Sequence, residues 1–414
     1  MLPSLRAVFS PLAATVFLLL AVGLLNTLIP LRGETIGFSV TLIGALSAAY
    51  YSGFFVGTYA LPRLVGRIGH IRAFSFCTAL VAIFVLLQAL GSNYWLWLAL
   101  RFAQGLVLVG LYAMIESWLN AAVQPSHRTS VFALYMMLSL GAQAGGQQFL
   151  SLPGEPFLLF SVAAILFSAA ALPVSATRQR EPELQGTPRA QPLKLYRLVP
   201  TALVAALLSG LAMGALWGLL PLYARSLGLG DGGIGHYMSA IILGGVALQW
   251  PFGRLADRID RRLALALIAG VATIVALLTI LLPTGHVGLA LVLAFVFGGA
   301  SFAIYPIAVA HLVNYLPRSE LLSASSTILL VYGSGSAVGP LLAGALMSGG
   351  RAWALYAWFA GLHVVLAVYT LSRYARRHRE VTGTDQFMPM IRTTPEGLGL
   401  HPRTGRDEAA GTGS

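Results

Sequence analysis

Gly253-Arg254-Leu255-Ala256-Asp257-Arg258-Ile259-Asp260-Arg261-Arg262 stands between two long apolar runs, and its reading decides the fold. A worn copy lies 191 residues upstream, where Arg63-Leu64 answers Arg254-Leu255, Arg67-Ile68 answers Arg258-Ile259, and Ala73 answers Ala264. The same offset pairs Ile43-Gly44 with Ile234-Gly235 and Gly53 with Gly244. It also pairs Leu28, Pro30 and Leu31 with Leu219, Pro221 and Leu222. An ungapped match from Leu28 to Ala73 marks a duplicated unit, and a repeat of this period governs every local reading.

Composition sets the class. The 414 residues are 57% hydrophobic and 10% charged, against about 25% charged in a soluble globular domain. Helices that are apolar all round belong in lipid, and about 20 such residues cross it. The apolar runs read as twelve spans. In the first half they lie near 11–31, 39–61, 73–91, 95–120, 130–150 and 156–174. In the second they lie near 198–223, 233–252, 263–283, 287–312, 321–347 and 352–374. The fold expected is an all-α integral membrane protein of two pseudo-symmetric six-helix bundles, 1–174 and 198–374. A charged, proline-bearing connection at 175–197 joins them. A charged tail, 375–414, has the composition of a disordered segment, although Phe387-Met388-Pro389-Met390-Ile391 is apolar enough to dock on the cytoplasmic face.

The net charge of +12 is a matter of topology. Twelve spans put both termini on one face. Of 26 Lys and Arg, Arg32, Arg225 and Arg351 fall in loops on the other face and Arg101 falls within a span, leaving 22 on the face of the termini. The positive-inside rule makes that face cytoplasmic and gives it anionic lipid headgroups as partners; nucleic acid is not an expected partner. The single cysteine, Cys77, allows no intramolecular disulfide. No Gly-x-x-x-x-Gly-Lys-Ser/Thr run is present for a nucleotide, and no His, Cys and acid cluster at metal-ligand spacing.

Twelve spans in two halves, with Gly-x-Leu-Ala-Asp-Arg between the second and third spans of a half, resemble the major facilitator superfamily. Asn26-Thr27-Leu28-Ile29-Pro30-Leu31, Glu116-Ser117, Gln249-Trp250-Pro251-Phe252-Gly253-Arg254-Leu255-Ala256-Asp257 and Tyr305-Pro306 look most like its YcaD-like branch. The resemblance implies two parallel halves that rock about a midplane site. It implies a gating role for the loop, in which Gly253, Asp257, Arg258, Arg261 and Arg262 close the cytoplasmic side against the other bundle. The alternative is ordinary flanking charge. The first-half copy keeps Arg67 and Arg72 but has Gly66 where the acid should stand.

Several residues within spans are candidates for substrate or coupling. Arg101-Phe102-Ala103-Gln104-Gly105 resembles the family's Arg-x-x-Gln-Gly signature, and an arginine within an apolar span reads by default as functional. Trp95 and Trp97 mark the outer interface, which puts Arg101 roughly 6–9 Å inside it. Asn26, about 22 Å from the cytoplasmic boundary, lies at nearly that depth and is Arg101's candidate partner. Arg101 can hold an anionic group, bias a nearby acid, or tie the fourth span to the first. Glu116 is the only one of 14 acids inside an expected span. It is read as a member of a cytoplasmic salt network with Arg67, Arg72 or Arg128, as a proton carrier, or as a helix-end acid.

His311 is a second titratable candidate, while His363 reads as a polar spot at a helix contact. Gln104, Gln143, Gln147, Tyr112, Tyr305 and Trp217 are candidate cavity lining. Gly335-x-x-x-Gly339-Pro340 and Gly141-x-x-x-Gly145-Gly146 allow close helix approach.

The function expected is a secondary active transporter of a small solute, coupled to protons and acting as a monomer without a cofactor. The solute is amphipathic, or neutral with at most one anionic group. The alternative is a membrane sensor or scaffold that carries no flux.

Overall fold

A computed structural model describes residues 2–123, 127–177, 190–283 and 285–376. Residues 178–189 of the central connection and the tail from 377, with Phe387 to Ile391, lie outside the described residues. Every regular element among those described is helical. The first half of the chain gives α1 (Leu2–Thr35), α2 (Val40–Ile68), α3 (His70–Leu90), α4 (Tyr94–Ala122), α5 (Arg128–Gln147) and α6 (Pro156–Ser175), with a 3-10 turn at Gln148–Ser151. A short helix, α7 (Pro192–Leu198), falls in the central connection. The second half gives α8 (Pro200–Ser226), α9 (Asp231–Arg258), α10 (Arg261–Ile280), α11 (Val287–Val313), α12 (Arg318–Met347) and α13 (Ala354–Arg376).

Ten of these helices are long and apolar enough to cross a membrane. Helices α5 and α9 have the length but not the apolar composition. They carry Gln143 and Gln147, and His236, Gln249, Arg254 and Asp257, respectively. These two helices pack against each other across the halves.

Local chemistry sets the helix ends. The Ser39 hydroxyl accepts from the Leu42 amide to start α2, and the Asn93 side chain accepts from Leu96 to start α4, which satisfies amides that open a helix. Gly69, at φ 83°, turns the chain sharply between α2 and α3, a conformation that glycine adopts without a Cβ clash. Pro156, Pro192 and Pro200 sit in the first turns of α6, α7 and α8.

The charged stretch itself differs from expectation. Gly253 to Arg258 form the last turns of α9, and the connection to α10 shrinks to Ile259 and Asp260. Arg63 and Arg67 likewise ride the end of α2. An α-helix needs only backbone hydrogen bonds, not apolar side chains, so it can run on past its apolar stretch into the headgroup region.

The duplication is visible as paired backbone approaches. Gly53 of α2 lies against the Phe102 carbonyl of α4, and Gly244 of α9 lies against the Phe295 carbonyl of α11. Gly105 faces the Tyr50 carbonyl as Gly298 faces that of Ile241. Gly23 meets Gln143 as Gly214 meets Ser336, and Gly146 meets Leu20 as Gly339 meets Leu211. Thus α1–α5 repeats as α8–α12, and α2–α4 repeats as α9–α11. Across the halves, Gly44 of α2 meets the Pro340 carbonyl of α12, and Gly235 of α9 meets the Gln147 carbonyl of α5.

A side chain at Gly53 or Gly244 has no room without moving backbone. Gly53→Ala and Gly244→Ala should each destabilise the protein, by about 1–3 kcal/mol. Gly270→Ala, where a Cβ meets open space, should leave the melting temperature in detergent unchanged or slightly raised. Equal melting of all three variants would contradict this packing.

Candidate functional site

Where the halves face each other the helices leave a cavity of about 100 Å³. Its wall follows helical spacing, since residues four apart share a helix face. Tyr135, Ser139 and Gln143 line it from α5, Tyr112 and Glu116 from α4, and Ser209, Met213 and Trp217 from α8. Asn26 comes from α1, Tyr50 and Tyr51 from α2, Ser301, Phe302 and Tyr305 from α11, and Tyr332 from α12. The Tyr305 and Tyr332 rings meet edge to face at 4.7 Å, and Trp217 meets Phe302 at 6.0 Å.

Glu116 is fully buried and accepts a hydrogen bond from the Tyr135 hydroxyl at 3.1 Å. Its carboxylate is on the cavity wall, near the cytoplasmic end of α4. The Cα–Cβ bond of a helical residue tilts toward the helix N-terminus, which here lifts the carboxylate from the end of α4 toward the cavity. Arg67 and Arg72 are exposed at the helix ends beyond it.

Arg101 is buried in α4 but is not part of the cavity wall. Its Nη1 donates to Gln104 Oε1 at 3.0 Å, and Gln104 Nε2 donates to Gln88 Oε1 at 2.7 Å. The guanidinium also lies 4.4 Å from the centre of the Tyr50 ring. The structure therefore gives Arg101 a glutamine chain and a π face in place of the expected Asn26, which faces the cavity instead. Three residues along a helix bring Gln104 directly beside Arg101, whereas Asn26 has to reach from another helix.

Gln147 is turned away from the cavity, accepting from Thr27 Oγ1 at 2.6 Å and donating to the Gly23 carbonyl at 2.8 Å. His311 is buried near the end of α11, its ring 4.9 Å from that of Tyr315. His363 of α13 meets α11, its ring 5.8 Å from that of Phe297 and Nε2 3.5 Å from Ser301 Oγ.

The charged end of α9 is tied to other helices of the second half. Asp257 and Arg261 are 3.6 Å apart, Arg261 donates to the Ala310 carbonyl of α11, and Arg262 donates to the Arg373 carbonyl of α13 at 3.3 Å. Asp260 accepts from the Arg262 amide at 2.8 Å, from Nε at 3.0 Å and from Nη2 at 2.6 Å. Burial pushes the Asp260 carboxyl up, but the Arg262 hydrogen bonds and charge, with His311 nearby, outweigh it and hold the pKa below the usual carboxylate value. Gly253 is buried within α9, and Arg258 is exposed.

The Major Facilitator Superfamily profile matches the chain twice, over residues 12–205 and again over 202–396. The chain belongs to the Major Facilitator Superfamily. Two curated relatives are each 30% identical over 345 residues, which cover 83% of this chain and 89% of theirs. They are an uncharacterized MFS-type transporter of Enterobacter sp. (strain 638) and the uncharacterized MFS-type transporter YcaD of Escherichia fergusonii.

Among solved structures, the nucleoside transporter NupG superposes with a TM-score of 0.72 at 16% identity, covering 89% of this chain and 99% of NupG. An inward-facing, occupied bacterial homolog of the human lysosomal transporter Spinster has a TM-score of 0.72 at 14% identity, covering 93% and 98%. At those identities the likeness is one of fold. This MFS protein is a multi-pass membrane transporter, not an enzyme, and its family binds small-molecule substrates.

Of the ten sequence candidates for substrate or coupling, Asn26, Tyr112, Glu116, Gln143, Trp217 and Tyr305 line the cavity. Arg101, Gln104, Gln147 and His311 do not. Sequence reasoning missed Tyr50, Tyr51, Tyr135, Ser139, Ser209 and Tyr332. The signal was present in the i, i+4, i+8 rows through Gln143 and Trp217, whose other members look too ordinary to single out one by one.

Gln104→Leu removes Arg101's hydrogen-bond acceptor and should cost about 1.5–3 kcal/mol, read as a lower melting temperature. For Asp260, a folded pKa below the unfolded value of about 3.9 gives stabilisation that is present above that value and lost as pH falls through the folded one. Wild type should melt above Asp260→Asn at neutral pH, with the gap closing below about pH 4. A gap that persists in acid would contradict the Asp260–Arg262 assignment.

Proposed function

We propose that this MFS protein is a secondary active transporter that moves a small solute by alternating access, with the proton as coupling ion. The observation that carries the reading is a fully buried carboxylate, Glu116, on the wall of a cavity to which both halves contribute. A buried acid can be switched between charged and neutral by a proton at modest cost, so its state can bias which side of the cavity is open.

In this reading α5 and α9 are spans too, with Gln143 on the cavity wall, Gln147 bonded to α1 and Gln249 bonded to α11 rather than facing lipid. Helices α1–α6 and α8–α13 then form two six-helix bundles, and the excess of Lys and Arg puts both termini in the cytoplasm.

The contacts between the halves support one particular state. Gly44 against Pro340, Gly344 against Val40, Gly218 against Ser47 and Gly235 against Gln147 all lie between the cavity and the face opposite the termini. So do the hydrogen bonds from Gln148 to Ser239 at 2.7 Å and from Ser239 to the Ala144 carbonyl at 2.9 Å. At the outer rim Arg225 of α8 crosses to Glu34 of α1 at 3.1 Å, while Asp231 of its own half holds it at 3.0 Å. These contacts close the outer side, so the arrangement is inward-facing.

When the outer contacts part, the charged end of α9 and its copy at Arg67 and Arg72 approach the opposite half. Asp257, Arg258, Arg261 and Arg262 then exchange ties within their own half for ties across the gap.

The test starts from a solute found by thermal stabilisation of the purified protein. In proteoliposomes that solute should move in response to a pH gradient. Glu116→Gln should lower the gradient-driven component about tenfold or more while leaving solute exchange measurable. Binding without flux under any gradient would contradict transport and identify a sensor.

A further inference from the structure

We propose that α7 is an interfacial helix that moors the chain between the halves in the cytoplasmic leaflet. Leu193 and Tyr196 sit among the acyl chains, Arg197 meets the phosphate of an anionic phospholipid, and α7 ties the inner end of α12 to that layer. This rests on the proposed orientation, which puts α7 at the cytoplasmic side, and adds a lipid contact to it.

The first support is depth. The Gln191 amide donates to Thr327 Oγ1 at 2.8 Å. Thr327 comes nine residues after Arg318, where α12 begins, or about 13 Å along the helix axis. Helix α8 keeps step with α12, Gly210 against Tyr332 and Gly214 against Ser336. The level of Thr327 is therefore that of Ala205, well inside the start of α8 at Pro200. The chain dips to this depth at Gln191, and α7 carries it back to Val199, seven residues spanning about 10 Å.

The second support is the outward face. Helix α7 packs on α8 and α12, with Leu195 as its buried residue. On the opposite side, within about 100° of arc, stand Leu193, Tyr196 and Arg197, and the first two are 67% and 50% exposed. A helix that is apolar on its buried side and again on its outward side belongs against lipid. Tyr196 is also within electrostatic reach of Tyr369 on α13, whose residues Val364, Val368 and Leu371 are exposed and apolar. Thus α7 extends the lipid-facing surface of α13 at its cytoplasmic end.

The third support is charge. Lys194 is taken by Glu320 of α12 at 2.8 Å, whereas Arg197 is exposed on the outward face beside Tyr196. Arg373 and Arg376 close the last turn of α13 on the same side of the membrane. Tyrosine at headgroup depth is an interfacial anchor, basic residues there are drawn to anionic lipid, and a guanidinium matches phosphate geometry. With Gln191 and Lys194 holding α12 and the outward face holding the leaflet, the inner end of α12 is moored, while its outer part meets α2 at Gly44.

The experiment uses the full chain in phosphatidylcholine nanodiscs, with and without phosphatidylglycerol. A nitroxide at Leu193→Cys is compared with one at Val368→Cys on the lipid face of α13 and one at Tyr315→Cys beyond the end of α11. The label at 193 should collide with oxygen in preference to a nickel chelate, as the label at 368 does and that at 315 does not. Thr327→Val with Glu320→Gln removes both ties to α12 and should leave the label at 193 in lipid but markedly more mobile. Phosphatidylglycerol should raise the melting temperature of wild type and of Arg197→Lys, and Arg197→Gln should lose most of that rise. Inorganic phosphate should not reproduce it.

A label at 193 open to the nickel chelate, unchanged mobility in the double variant, the absence of a rise in wild type, a full rise in Arg197→Gln, or the same rise with inorganic phosphate would overturn the proposal. Proton-driven flux with the label at 193 in water would sink the mooring and leave transport standing. A label in lipid, with no flux under any gradient, would do the reverse.

Discussion

Helices in lipid gain nothing by hiding apolar surface from one another, so what holds them together is how closely their backbones can approach. In this chain that approach is made at glycines, and it is made twice. Gly53 and Gly105 join α2 to α4, and Gly244 and Gly298 repeat the joint between α9 and α11. Gly23 and Gly146 join α1 to α5, and Gly214 and Gly339 repeat that joint between α8 and α12. Contacts of this kind are stiff, because a helix backbone cannot yield as a side chain can. Under the proposed alternating access, each half moves as a unit and the movement is left to the surface between the halves.

That surface is tight at one end and hollow in the middle. Toward the face opposite the termini it again uses glycine against carbonyl, at Gly44–Pro340 and Gly235–Gln147. Deeper in, the facing side chains become large and polar, and packing gives way to the cavity around Glu116. The polar groups that would be costly in hydrocarbon are concentrated there or paired beside it, as Arg101 is with Gln104 and Gln104 with Gln88. Polarity thus marks two different things in this chain. Arg101 holds its place through neutral partners away from the cavity wall, whereas Glu116, bonded to Tyr135, lies on that wall.

Much of the fold was legible because its two strongest signals, apolar span length and the repeat, do not depend on partners. The offset from Arg63 to Arg254 and from Gly44 to Gly235 carries over into equivalent contacts. The helical state of Gly253 to Arg258 was not legible, because polar residues at headgroup depth look like loop when only apolarity is counted. In the site, Glu116 was found by being the only acid in a span, and Asn26, Gln143 and Trp217 by being polar or large where neighbours are apolar. The placement of Arg101 was missed for a physical reason: its partner Gln104 is three residues away on the same helix, and depth alone had favoured Asn26 on another. Tyr50, Tyr135 and Tyr332 escaped because a tyrosine in a span has the same sequence signature whether it faces lipid, a neighbour or a cavity.

The account turns on two rigid halves that close on one side of the cavity as they open on the other. Spin labels at Thr35→Cys and Ser226→Cys report the outer ends of α1 and α8, and labels at Ala121→Cys and Tyr315→Cys report the opposite ends of α4 and α11. All four positions are exposed, and the native Cys77 is buried. Pulsed electron spin resonance distances in nanodiscs, with and without a bound ligand and across pH, should show the outer pair lengthening as the inner pair shortens. Two pairs that stay fixed, or that lengthen and shorten together, would contradict the account.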